Sequence, residues 1–411
     1  MGTVRYFDDN NRVEFHGDIN DYQNTKLTPD EMVMVYDETA LGPIDDRMPY
    51  RVKFYVEDGV VETIEEGDHA GEFDYTAGTL TKVKLFNEAG DLLMSISGLD
   101  VSMPYVSAMV FYDNGWSAIH HILGGGHTFY GSNVAFEMDP ERGENIDTGA
   151  GDDTVYGRAG NDWIRDTGGQ DDYRGGAGYD FVGYMNHRWA LEGTSEGIVA
   201  RLDKGYVIGT DGLRDTVKSI EGIQGSMFDD RMIGNDDRNE FQGMLGEDFM
   251  NGKGDWDIVR YWSEDWVGGV RGVRVNLAKD KAKDQWGTVD TLKNIEHVGG
   301  TDTDDIFRDN AGDNWFDGED GDDMFYFGRG NDGAQGGDGA DTFIFNGDTF
   351  GFDRIEDFED GIDMIRIKNA ADFAALTISQ DGSDALIEWN GNEVRLDDTT
   401  ATDITADDFI F

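Results

Sequence analysis

From residue 151 onward the large apolar residues are spaced rather than clustered. One recurs every nine positions, and each stands two residues after an acid or amide. The first run pairs Asp153 with Val155, Asp162 with Ile164, Asp171 with Tyr173 and Asp180 with Val182. A second pairs Glu221, Asp230, Asn239, Asp248 and Asp257 with Ile223, Met232, Phe241, Met250 and Val259. A third pairs Asp305, Asn314, Asp323, Asp332 and Asp341 with Phe307, Phe316, Phe325, Ala334 and Phe343. One inward side chain per unit predicts a very short strand, and the glycines between units permit the positive-φ turns that a tight loop demands. No single unit can bury its apolar residue alone, so the pattern predicts stacked turns sharing a thin core.

Residues 1 to about 140 follow another rule. Alternating runs such as Arg51–Val56, Thr81–Leu85 and Leu92–Ile96 read as antiparallel strands, with Asn87–Asp91 as a hairpin loop between two of them. The length suffices for an independent β domain, sandwich or jelly-roll-like. The fold class expected is therefore all-β throughout.

Composition changes the picture through charge. There are 86 acidic against 33 basic residues, a formal net charge of −53 in 411 residues. Such a chain repels itself, and repeats with few large apolar residues cannot offset that by burial. Carboxylates and backbone carbonyls stacked together form an all-oxygen site, which suits calcium and its roughly six to eight ligands better than zinc or copper. Were about ten divalent ions bound, each would neutralise about two charges, and their binding energy would enter folding directly. Nucleic acid is an unfavoured partner, since phosphate recognition needs clustered Lys and Arg. Cysteine is absent, which removes disulfide and thiolate-metal chemistry. No stretch approaches the length of a membrane span, and the amino terminus has no apolar core of signal-peptide length.

The units Gly175-Gly-Ala-Gly-Tyr-Asp180 and Gly336-Gly-Asp-Gly-Ala-Asp341 resemble the hemolysin-type, or RTX, calcium-binding nonapeptide Gly-Gly-x-Gly-x-Asp-x-apolar-x. The resemblance implies a parallel β-roll with two units per turn, so that acids eighteen residues apart meet on adjacent turns. It would pair Asp153 with Asp171, Asp162 with Asp180, Asp230 with Asp248, Asp305 with Asp323 and Asp323 with Asp341. It implies several calcium ions, held by Asp153, Asp162, Asp171, Asp180, Asp230, Asn239, Asp248, Asp257, Asp305, Asn314, Asp323, Asp332 and Asp341. Carbonyls near Gly157, Gly175, Gly225, Gly243, Gly318 and Gly336 would complete the coordination. Asn239 and Asn314 replace an acid, while Asp237, Asp255 and Thr303 stand where the third glycine is usual. Those loops are expected to bind more weakly or stay empty.

The roll is expected over 141–368, in blocks of about 144–182, 221–259 and 296–345. The segments 183–219 and 260–294 would be inserts of hairpins or short strands packed on the roll. The segment from Asp180 to about 235 is echoed from Asp257 to about 310, offset by roughly seventy-five residues, as expected of a duplicated solenoid unit. Residues 369–411 would form a β-rich cap. Their ADDFIF ending resembles the uncleaved signal of type I secretion, which implies that machinery as a partner and an extracellular or cell-surface location.

Catalytic signals are thin. Gly193-Thr-Ser195-Glu-Gly197 fits the nucleophile-elbow pattern but precedes a predicted strand where a helix is required. His120, His121 and His127 form a cluster without the H-E-x-x-H of zinc proteases, and read as a junction. Carboxylate pairs could be chosen anywhere in so acidic a chain. Three functional classes remain. One is a noncatalytic protein of adhesion, extracellular matrix or surface-layer assembly, partnered by itself or by an extracellular glycan or surface. The second is a polysaccharide-acting enzyme or its accessory module, resembling the calcium modules of mannuronan epimerases. The third is a secreted toxin or bacteriocin-like effector.

Overall fold

A computed structural model describes residues 151–185, 196–261 and 271–411 in full and, between 22 and 148, the backbone of strand segments. It divides into two compact units, one comprising 1–194 with 205–222 and the other 195–204 with 223–411.

In the first unit, strands Tyr22–Thr28, Glu31–Tyr36, Arg51–Thr63, Phe73–Phe86 and Leu92–Met103 pair antiparallel in sequence order. Strand Thr128–Tyr130 pairs antiparallel with Leu92–Met103 on one side and parallel with Thr154–Ala159 on the other. There the topology changes from meander to roll. Thr154–Ala159 lies parallel to Asp172–Ala177, with Thr154 opposite Asp172, while Asn161–Arg165 lies parallel to Phe181–Gly183, with Trp163 opposite Phe181. Both registers are the eighteen residues of two nonapeptides.

The second unit has the same construction. Its first sheet stacks Arg231–Ile233, Phe249–Asn251 and Val289–Lys293 in parallel, then Ile306–Arg308, Met324–Phe327, Thr342–Phe345 and Met364–Ile367. Its second sheet stacks Glu240–Gln242, Ile258–Arg260, His297–Gly299, Trp315–Asp317, Gly333–Gln335, Phe352–Ile355 and Asn392–Leu396. Alternation along each short strand turns one residue, or two, inward. Those residues build the core: Phe307, Phe325 and Phe343 are fully buried, and their rings stack at 5.2 and 5.0 Å between centroids. Offset aromatic stacks on successive rungs add to area burial, which offsets the thinness of a core with one side chain per strand.

The inserts contribute rungs of their own. Arg274–Asn276 pairs antiparallel with Lys281–Lys283, and this with Val289–Lys293, which lies parallel to Phe249–Asn251. In the first unit Tyr206–Ile208 pairs antiparallel with Arg214–Lys218, which lies parallel to Asp172–Ala177. The roll of the second unit therefore runs unbroken through its insert. Hairpins Thr377–Asp381, Asp384–Trp389 and Asn392–Leu396 follow, and Phe409 forms a parallel bridge with Ile365.

Candidate calcium-binding edges

The turns between strands bring the predicted acids into ladders. The backbone N–H of each acid donates to the carboxylate eighteen residues on. Asp153 donates to Asp171 Oδ1 at 2.5 Å, Asp162 to Asp180 at 2.8 Å, Asp230 to Asp248 at 2.8 Å, Asp305 to Asp323 at 2.7 Å and Asp323 to Asp341 at 2.9 Å. Asn239 and Asn314 keep the register, donating to Asp257 and Asp332 Oδ1, each at 2.8 Å. All thirteen predicted acid and amide positions are buried.

The glycines explain where the second carboxylate oxygen points. A side chain on Gly157 would collide with both Asp162 Oδ2 and the Gly175 carbonyl, and on Gly225 with Asp230 Oδ2 and the Gly243 carbonyl. Gly318 stands in the same way before Asp323 Oδ2 and the Gly336 carbonyl, and Gly175 before Asp180 Oδ2 and the Ser219 carbonyl. At Gly243 and Gly336 a side chain would meet Asp248 Oδ2 and Asp341 Oδ2. Each first glycine thus leaves a cradle beside a carboxylate oxygen, shared in the stacked cases with a carbonyl from the next turn. The following position takes a left-handed backbone even without glycine, with φ 83° at Arg158, 67° at Met244 and 72° at Glu319. Asp255, in a third-glycine slot, likewise adopts φ 65°. Such residues carry strain that glycine would not.

Buried Oδ2 atoms of Asp180, Asp248, Asp257, Asp323, Asp341 and Asp353 have no hydrogen-bond donor among the described residues. Burial pushes these carboxyls up, Asp180, Asp257 and Asp341 to about 7, Asp323 to about 9 and Asp248 to about 10, the last helped by the like charges of Asp230 and Asp290. A buried carboxylate without a counter-charge costs several kcal/mol by order of magnitude. A hard divalent cation cancels that cost, and the donors present are all oxygen, so the residues fit calcium.

Several further acids join the ladders, all but Glu221 outside the nine-residue runs. Asp171 donates to Asp215 Oδ1 at 3.0 Å, Asp248 to Asp290 at 3.0 Å, Asp332 to Asp353 at 2.9 Å and Asp341 to Asp363 at 2.9 Å. Asp180 and Asp257 donate to Glu221 and Glu296 Oε2 at 2.9 and 3.0 Å. Intervening residues lengthen the sequence interval without changing the contact. Their signal is the acid placed two residues before an apolar one, as in Asp215/Val217, Asp290/Leu292 and Asp353/Ile355. Asp166 and Asp309 replace the first glycine. Asp166 is buried with its carboxylate beside those of Asp171 and Asp215, all within 4.8 Å. Burial, then the charges of Asp215 and Asp171, raises its pKa well above the usual value.

Comparison with known proteins identifies the repeats that form these edges. The RTX calcium-binding nonapeptide repeat family matches residues 147–182, 224–259 and 299–334. These three segments are RTX calcium-binding nonapeptide repeats. The RTX repeats of this family bind calcium. Among solved structures the chain is similar to the extracellular lipase LipA from Serratia marcescens, with 18% identity over 74% of this chain and 45% of the lipase, at a TM-score of 0.19. It is also similar to the AlgE6R3 subunit of the Azotobacter vinelandii mannuronan C5-epimerase, with 30% identity over 27% of this chain and 79% of that subunit, at a TM-score of 0.17. The chain thus spans less than half of the lipase's length. No curated protein matches it.

Residues 193–195 of the nucleophile-elbow pattern, with Ser195 among them, the histidines 120, 121 and 127 and the Asn87–Asp91 loop lie outside the described residues. No helix among the described residues is long and apolar enough to cross a membrane.

Proposed function

We propose that this RTX protein is secreted or held at a cell surface, that its roll folds on binding calcium, and that it acts without catalysis in adhesion, extracellular matrix or surface-layer assembly. The observation carrying the reading is the ladder of buried carboxylates with an undonated oxygen facing a glycine cradle, as at Asp323 with Gly318. Ionised and ion-free, these groups oppose the fold. With calcium they hold adjacent turns together, so folding and metal binding are one event. The ligands proposed are the thirteen acids and amides of the nonapeptides with the carbonyls at Gly157, Gly175, Gly225, Gly243, Gly318 and Gly336. Asp215, Glu221, Asp290, Glu296, Asp353 and Asp363 extend the edges. When bound, calcium supplies the positive charge and the cross-turn link. The protein's residues supply preformed oxygen cradles and exclude water from one side of each.

A location where calcium is plentiful suits this coupling. The adhesive or assembling role draws support from the roll itself, since repeat arrays present extended surfaces. Size-exclusion chromatography with light scattering, paired with circular dichroism, tests the reading in chelator and in millimolar calcium. The expected result is new β signal with growth into assemblies or retention on a surface. A monomer that turns over a glycan would overturn the noncatalytic role, and an unchanged spectrum would overturn the calcium coupling.

A further inference from the structure

The two sheets of the second unit differ in the charge of their outward faces. On the second sheet acids are matched by bases. Arg260 contacts Glu240 at 3.3 Å and Asp317 at 3.4 Å, and His297 meets Asp317 at 2.7 Å. On the first sheet, Met232, Met250, Val275, Ala282, Leu292, Phe307, Phe325, Phe343 and Ile365 are buried, which turns their strand neighbours outward. No aspartate or glutamate occupies an outward position on any of those strands. Arg231, Arg274, Lys281, Lys283, Arg308 and Arg366 do. None of these six has an ion pair with a carboxylate among the described residues. All are exposed except Arg308, which is half-buried.

In a chain of net charge −53 an acid-free face with six unpaired cations is a strong departure. Two of the cations are also held in place. The Arg231 guanidinium lies 4.2 Å over the Phe249 ring and that of Arg308 lies 3.7 Å over Tyr326. Stacking of this kind fixes the plane of a guanidinium and leaves its edge donors free for a bidentate carboxylate.

We propose that this face binds an acidic polysaccharide through its carboxylates. Charge complementarity selects an anionic partner. Along one row the register spaces the cations widely: Arg308 and Arg366 have Tyr326 and Ile344 between them, three strand spacings or about 14 Å apart, while Arg274 and Lys283 face each other across adjacent strands as one closer pair. A polymer with roughly one charge per sugar or disaccharide matches that spacing better than nucleic acid, whose charges lie about 1.7 Å apart along the axis. A thin polymer also stays within the roughly 8 Å over which the local field acts, whereas a second copy would bring its whole negative charge against the first. The inference rests on the calcium-folded roll proposed above, because only the folded register assembles the face.

The test uses the full chain in saturating calcium with hyaluronate fragments, which carry spaced carboxylates, and dextran fragments as the neutral control. Binding by calorimetry is expected for hyaluronate alone, weakening as salt rises. The triple variant Arg231→Gln, Arg308→Gln, Arg366→Gln should bind at least about tenfold more weakly, with the calcium-induced circular dichroism unchanged. A folded wild type that ignores hyaluronate overturns the inference, as does a variant that binds equally. Tighter binding of single-stranded DNA would assign the face to nucleic acid, and polymer-free growth in mass abolished by the variant would assign it to a second copy; either overturns the polysaccharide. A chain without any calcium-induced spectral change fails the calcium reading instead.

Discussion

Replacing Asp323 with asparagine should change stability with opposite sign in chelator and in calcium. Asp323 is 1% exposed, accepts from the Asp305 N–H at 2.7 Å through Oδ1 and turns Oδ2 toward the Gly318 cradle and the Gly336 carbonyl. Asparagine keeps the Oδ1 acceptor and offers an amide N–H to that carbonyl, much as Asn314 Nδ2 already reaches the Glu296 carbonyl at 3.5 Å. Without an ion, burial and the charges of Asp305 and Asp341 push the carboxyl from 3.8 to about 9, so the ion-free roll must take up a proton there at neutral pH. At about 1.36 kcal/mol per pH unit the penalty is roughly 4 kcal/mol. The neutral amide avoids it, and the ion-free variant should be more stable by up to that order. In calcium the variant loses an anionic ligand, and a tenfold to hundredfold weaker site removes about 1.4 to 2.7 kcal/mol of linked stability. Urea unfolding followed by circular dichroism measures both arms, with sucrose added in chelator to hold the ion-free fold. Destabilisation of equal size in both solutions would refute the reasoning, since it would mark Asp323 as a structural acceptor only.

Three further outcomes are expected. The carboxyls with raised pKa favour the ion-free roll fully below their usual value near 4, and that contribution is lost as pH rises through about 7 for Asp180 and Asp341 and about 9 for Asp323. β signal in chelator should therefore appear near pH 4 and disappear toward pH 9, with calcium removing the dependence; a flat profile in chelator would contradict it. Gly318→Ala places a methyl against Asp323 Oδ2 and the Gly336 carbonyl, so the calcium midpoint of folding should rise at least about tenfold, whereas Gly382→Ala, with nothing within 4 Å, should shift that midpoint less, by the cost of its left-handed backbone alone. Phe325→Ala removes a ring stacked between Phe307 and Phe343 and should cost about 3 to 5 kcal/mol in calcium-loaded thermal unfolding. A loss below about 1 kcal/mol would mean that the stack contributes no more than a surface contact.

The nine-residue spacing of acid and apolar residue was enough to establish rung length and the inward residue of each rung, and the resemblance to the RTX nonapeptide added the acid pairs eighteen apart. Periodic stacking is local physics repeated: the same side chain meets its own counterpart on the next turn, so Phe307 finds Phe325 and Asp305 finds Asp323 without knowledge of the rest. The alternating runs before residue 104 likewise announced antiparallel strands. Where a detour interrupts the period, sequence spacing stops measuring distance in space. Asp248 meets Asp290 across 42 residues because the hairpin between them returns the chain to the same edge. Asp215 joins Asp171 and the glycine-slot Asp166 for the same reason, across 44 residues. The acid-free face depended on tertiary structure entirely, since Arg231, Arg274, Arg308 and Arg366 are scattered among acids in the sequence and only strand alternation sorts them onto one side.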